Sequence, residues 1–122
     1  MDKIYKVYAS VFSGKFSLNV YEARIKKKTK EHYFLDVGRS QDKMLPFDYI
    51  NSVYKDNHSL MVWCEEKDIE HYKEIFPIQL KDNLKDLLDT QIKYHKKDID
   101  SIDLYLNNKM EIKIYKIGRA HV

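Results

Sequence analysis

The chain has 122 residues, enough for one domain with one core and too few for two ordinary ones. Charged residues make up 34%, above the roughly 25% of a typical soluble domain, yet 43% apolar residues still supply a core, which excludes a disordered chain. One cysteine excludes an internal disulfide or a cysteine-based zinc cluster, and a net charge of +3 does not by itself mark a nucleic-acid binder. No apolar stretch reaches the roughly 20 residues of a membrane-spanning helix, and the first eight residues lack the apolar run of a secretory signal, so the expected setting is cytoplasmic with no membrane partner.

Residues 4–12, rich in aromatic and β-branched side chains, predict a strand, and Ser13-Gly14-Lys15 predicts the turn of a hairpin. Phe16, Leu18 and Val20 alternate with polar neighbours, but Tyr21, Ala23 and Ile25 continue on the other parity, so a bulge near Val20 is expected to keep one face buried. A polar stretch follows, then a third strand over 32–37 closed by Gly38, and a short edge strand over 43–47, where Pro46 cannot donate to a central ladder. Residues 48–51 read as a turn. The near-continuous apolar run 59–64 is the candidate central strand.

After Cys64 the period changes to helical. Ile69, Tyr72 and Phe76 recur at helical spacing behind the acids Glu65, Glu66 and Asp68, and Pro77 is expected to end or kink that helix. Leu84, Leu88, Ile92, His95, Ile99, Ile102 and Leu106 then continue at steps of three and four, with Leu80 and Leu87 widening the stripe, which predicts one long amphipathic helix. Asn107 and Asn108 close it, and Met110, Ile112 and Ile114 alternate in an expected final strand. The fold class is α+β: an antiparallel sheet of about five strands, a helix, one long amphipathic helix and a final strand, all in a single domain over 1–116 (strand-rich 1–64, helical 65–108, strand 109–116). A helix stripe longer than one small sheet can cover points to a homodimer.

Residues 1–64 hold eleven basic and seven acidic groups, whereas 65–116 hold ten and twelve, so an anionic ligand would favour the sheet side. Lys26, Lys27, Lys28 and Lys30 cluster at an expected hairpin tip near Arg24, where they could contact phosphates or could simply blunt a sheet edge. Tyr5, Tyr8, Tyr21, Tyr33 and Trp63 could form a stacking surface beside them, or could be cross-strand core. Gly38-Arg39-Ser40, after a strand, could hold a phosphate through backbone amides and the guanidinium, although it lacks the glycines of a P-loop. Cys64 sits where strand meets helix, but the adjacent Glu65 and Glu66 disfavour a thiolate. His71 and Glu74 are three apart without further metal-ligand spacing, and Asp98, Asp100 and Asp103 read as the wet side of the long helix. No catalytic constellation, cofactor motif or metal set stands out.

The layout, with its opening Lys3-Ile4-Tyr5-Lys6-Val7-Tyr8, the lysine hairpin at 26–30, the Val62-Trp63-Cys64 strand end and the helix start at 65–69, resembles small accessory proteins of phages of low-GC bacteria. Some such proteins counter bacterial immunity, either by sequestering nucleotide immune signals or by masking a nuclease such as a CRISPR effector. The resemblance implies a non-catalytic counter-defence protein, acting in the cytoplasm of an infected bacterial cell, that sequesters a nucleotide-derived immune signal. Its expected ligand-binding residues are Arg24, Lys26, Lys28, Arg39 and Lys43 against phosphates, with Tyr8, Tyr33 and Trp63 against the base. No cofactor or metal is expected. Alternatives are a protein inhibitor of a host defence enzyme, a nucleic-acid-binding accessory factor, and a phosphodiesterase that cleaves the signal. Residues 117–122 (Ile-Gly-Arg-Ala-His-Val) resemble a translated sequencing-library adapter and are read as a non-native tail.

Overall fold

The computed structural model describes residues 2–38, 40–108, 112 and 114–117, with side chains described except at 87–95. Strands β1 (Lys3–Phe12) and β2 (Lys15–Lys28) form the expected hairpin, with Phe12 opposite Lys15. The two-residue loop places Ser13 at φ 50° and Gly14 at φ 76°, the paired left-handed conformation whose twist suits a two-residue hairpin turn. The sheet continues through β3 (His32–Asp36), β4 (Lys43–Pro46), β5 (Tyr54–Lys55), β6 (Ser59–Cys64) and β7 (Ile114–Lys116). Its order is β4-β3-β2-β1-β6-β5, antiparallel throughout, with β7 added parallel to β2 at Val20, Tyr21 and Glu22.

The described residues therefore contain seven strands. The one beyond the expected set is β5, two residues long and too short to leave an alternating pattern. Of the expected final strand, Ile114–Lys116 is formed and Ile112 packs against the core, while Met110 lies outside the described residues. The chain leaves β4 through a 3-10 turn at Phe47–Tyr49, after which Ile50 bridges to Trp63 and the Asn51 N–H donates to the Trp63 carbonyl at 2.8 Å. This connection ties the two ends of the strand order together, and the sheet curls.

The bulge expected near Val20 is absent. The β1–β2 register runs without interruption from Phe12 opposite Lys15 to Lys3 opposite Arg24, and the irregularity falls further on, between Ile25 and Lys27 opposite β3. The change of parity has another cause: both faces of this sheet are buried at different places. Val7, Ala9, Leu18, Val20, Leu60 and Val62 point into one core under the helical segment, whereas Ile4, Ala23, Tyr33, Leu35, Leu45 and Trp63 form a second core inside the curl.

A 3-10 turn at Glu66–Asp68 leads into α1 (Ile69–Asn108), which runs on through Pro77 rather than ending there. Forty residues of straight helix would span roughly 60 Å. Lys81 nevertheless forms an ion pair with Asp103, 22 residues on, which a straight axis would hold roughly 33 Å away. α1 therefore doubles back as two arms, a correction to the single long helix expected from the stripe. The reason is coverage. A straight rod from Leu80 to Leu106 would be roughly 39 Å long and would overhang β1, ten residues and roughly 33 Å. Folded back, Phe76, Leu80 and Leu84 of the outgoing arm share one core with Ile99 and Ile102 of the returning arm. The overhang that pointed to a homodimer is thereby removed. No helix among the described residues is long and apolar enough to cross a membrane.

The returning arm is fastened to the β1–β2 turn. The Gly14 N–H donates to Asp98 Oδ1 at 2.7 Å, and Asp98 is 6% exposed. Asp98 is thus no wet-face residue, Asp100 is exposed, and Asp103 is committed to Lys81.

Candidate functional site

Alternation along β1 sends Tyr5, Val7, Ala9 and Val11 under α1 and leaves Lys6 and Tyr8 on the opposite face. β1 is flanked on both sides by β2 and β6, so Lys6 sits mid-sheet with Tyr21 beside it on one strand and Trp63 on the other. Its ammonium lies 4.9 Å from the Tyr21 ring centroid and 5.7 Å from that of Trp63. Two ring faces offset part of the desolvation of this cation, at about 0.5–2 kcal/mol each. They do not offset all of it. Burial, and after it the charge of Lys43, holds the Lys6 pKa below its ordinary 10.5.

Lys43 stands at the start of β4, at the far end of the strand order, and the curl brings it to the same cleft. The cleft, about 520 Å³, is walled by Lys6, Lys43, Trp63, Ser40, Gln41 and Asp42. Asp42 is its carboxylate and is already engaged, 3.2 Å from Lys26 Nζ. Among the described residues neither Lys6 nor Lys43 has a carboxylate within ion-pair distance. Ile117, the first residue of the adapter-like tail, borders the cleft, and its N–H donates to the Glu22 carbonyl, a contact any residue but proline could make. What the cleft offers chemically is two ammonium groups over an aromatic floor, a setting for an anion.

The residues expected from the sequence divide. Lys43 and Trp63 are in the cleft. Trp63, however, is 5% exposed and lies under Lys6, and Tyr33 is 8% exposed with its ring 4.7 Å from Phe47, so neither offers a free face for stacking a base. Tyr8 is half-buried on the same sheet face as Lys6, one row along, opposite Met61. Lys26 takes part only as the partner of Asp42. Arg24 is paired with Asp36 at 3.3 Å, and Lys28 sits 5.7 Å from the Phe47 ring. Arg39 lies outside the described residues. In the Gly38-Arg39-Ser40 candidate the Gly38 amide already donates to Asp36 Oδ1 at 3.1 Å, which also holds the Asp36 carboxyl below its ordinary pKa.

The lysines 26–28 belong to the end of β2 rather than to the hairpin tip. The turn beyond them is closed by Thr29, whose N–H and hydroxyl both donate to the His32 carbonyl. Lys6 is the residue that sequence reasoning missed. Its signal was a single lysine inside Ile4-Tyr5-Lys6-Val7-Tyr8, on a strand that the hairpin and the apolar run 59–64 jointly place in the sheet interior.

Elsewhere the candidates for chemistry are quiet. Cys64 is buried, and burial together with Asp68 and Glu65 pushes its thiol up to about 12, which leaves no thiolate at neutral pH. His71 stacks edge-on against Tyr72, and among the described residues no three metal-ligating side chains converge. Family models, curated proteins and solved structures give no match to this chain.

Proposed function

We propose that this protein is a non-catalytic binding protein whose ligand is a small phosphorylated molecule held at the cleft between Lys6 and Lys43. The observation that carries this reading is the placement of a half-buried ammonium in the middle strand of a sheet, with a second ammonium bearing on it and no described carboxylate paired to either. Such a cation costs stability unless something anionic completes it. The resemblance of the sequence layout to small phage accessory proteins implies a nucleotide-derived immune signal as the ligand class, and sequestration as the role. A sequestering protein needs affinity and no reacting group, in keeping with a thiol held protonated at Cys64.

The test is a thermal-shift screen of the intact chain against cyclic dinucleotides, cyclic trinucleotides and ADP-ribose derivatives, followed by chromatography of the recovered ligand. A ligand at 100 times its Kd adds about 2.7 kcal/mol and moves Tm by several degrees. A shift that Lys6→Met abolishes, with the ligand recovered unchanged, supports sequestration. Recovery as a new species makes the protein an enzyme, and the absence of any shift across the screen sinks the reading.

A second reading, a single-stranded nucleic-acid binder, draws on the tyrosines of the same face. Tyr115, Tyr21, Lys6 and Trp63 form one row across four strands, and Tyr8, Met61 and Tyr54 form the next. It predicts affinity that falls steeply with salt and weakens with Lys26→Glu, whereas a small ligand clasped by two lysines shows a shallow salt slope.

A further inference from the structure

A second cleft, about 290 Å³, opens beside the first and shares Lys43 and Trp63 with it. Its other walls are of different chemistry: Met44, Tyr49, Val53, Tyr54 and Met61. Four of these are exposed although apolar or aromatic, with Met44 at 52%, Tyr49 at 58%, Val53 at 42% and Tyr54 at 64%. Apolar side chains gathered around one concavity, rather than scattered singly, are the usual mark of a binding surface. They come from the edge strand β4, from the loop that closes the curl, and from the short β5, so the curl itself assembles the cleft.

Resting on the anion-binding reading above, we infer that the two clefts are one bipartite site for a phosphorylated nucleoside, with phosphate between Lys6 and Lys43 and the base in the Met44–Tyr54 cleft. Lys43 is the hinge of the site, reaching both parts. The chemistry favours a heteroaromatic ring over an alkyl chain. Two tyrosine rings and two thioethers are polarizable surfaces suited to a flat π-system. The Ser52 hydroxyl at the rim, which donates to the Asp48 carbonyl at 2.8 Å, keeps its lone pairs for an exocyclic N–H. This arrangement also replaces the stacking role expected of Tyr33 and Trp63: the base is received by Tyr49 and Tyr54, which no local motif marks.

The inference is tested by titrating the intact chain in a calorimeter with four probes: pyrophosphate, adenosine, ADP and decyl phosphate. ADP is expected to bind about ten-fold or more tighter than pyrophosphate, the gain expected of one stacked base. Tyr54→Ala and Tyr49→Ala should reduce ADP to the affinity of pyrophosphate while leaving pyrophosphate itself unchanged. Retained pyrophosphate binding also shows that the variants are folded. ADP binding no tighter than pyrophosphate overturns the base cleft and leaves the anion cleft standing. Decyl phosphate matching or exceeding ADP, with the same dependence on Tyr54, overturns the heteroaromatic assignment. Failure of every probe to bind overturns both this inference and the reading beneath it.

Discussion

The two faces of β1 are made from neighbouring residues and do opposite things. Tyr5, Val7, Ala9 and Val11 are sealed against α1, with Val7 and Ala9 fully buried. Lys6 and Tyr8, interleaved with them, face a surface that α1 does not cover, where a cation is kept partly out of water. The covered face is where stability is made, because each side chain there removes apolar area from water, at roughly 25 cal/mol per Å². The other face carries a group whose burial opposes folding. An apolar residue at position 6 would remove that cost, and the lysine there is the basis of the anion site proposed above.

The comparison breaks most visibly on the covered side. Phe76 is fully buried where the outgoing arm meets the sheet, and Phe76→Ala should cost about 3–5 kcal/mol, read as a lower urea midpoint with little change in slope. Next is the fastening of the returning arm. Asp98→Ala leaves the Gly14 N–H without its acceptor and should cost about 1.5–3 kcal/mol, while Asp98→Asn, which keeps an oxygen there, should cost less. Ligand affinity per folded molecule should survive both changes, since neither residue is near the clefts.

The smallest change in stability, and the sharpest contrast, is expected at Lys6. Lys6→Met should raise Tm by a few degrees, corresponding to about 1 kcal/mol, and abolish pyrophosphate binding. The pH dependence follows from the direction of the pKa. The folded value lies below the ordinary 10.5, so the unfolded chain binds this proton more tightly and the penalty is complete at neutral pH. As pH rises toward 10.5 the wild type sheds the penalty, and the Tm advantage of Lys6→Met should shrink. An advantage that stayed constant with pH would mean that the gain comes from packing and not from charge.

Much of the fold was legible because it is local. The hairpin turn, the strands 32–36 and 59–64, the proline-marked edge strand and the helix end at Asn108 each carry their own signal within a few residues. The misreadings have one physical origin, which is that a pattern states which residues are apolar and not how many surfaces bury them. Ala23 and Ile25 shifted parity because a second core awaited them, with Tyr21 on the same face beside Lys6, and the apolar stripe of α1 ran past one sheet length because two arms share it. The site was legible in part. Positive charge on the sheet side could be read from composition, and Lys43 and Trp63 do line the cleft, Trp63 as a covered floor and not as the stacking face expected of it, whereas Lys6 meets Lys43 only through the curl, and Tyr49, Tyr54 and Met44 converge only because the loop at 47–53 closes it.

The chain contains a single tryptophan, and that indole is the floor beneath the Lys6 ammonium. The molecule therefore carries its own optical reporter. An anion that draws the ammonium off the ring alters the field on Trp63 directly, so occupancy of the cleft should register as a change in intrinsic emission, without a label and without competition from a second indole.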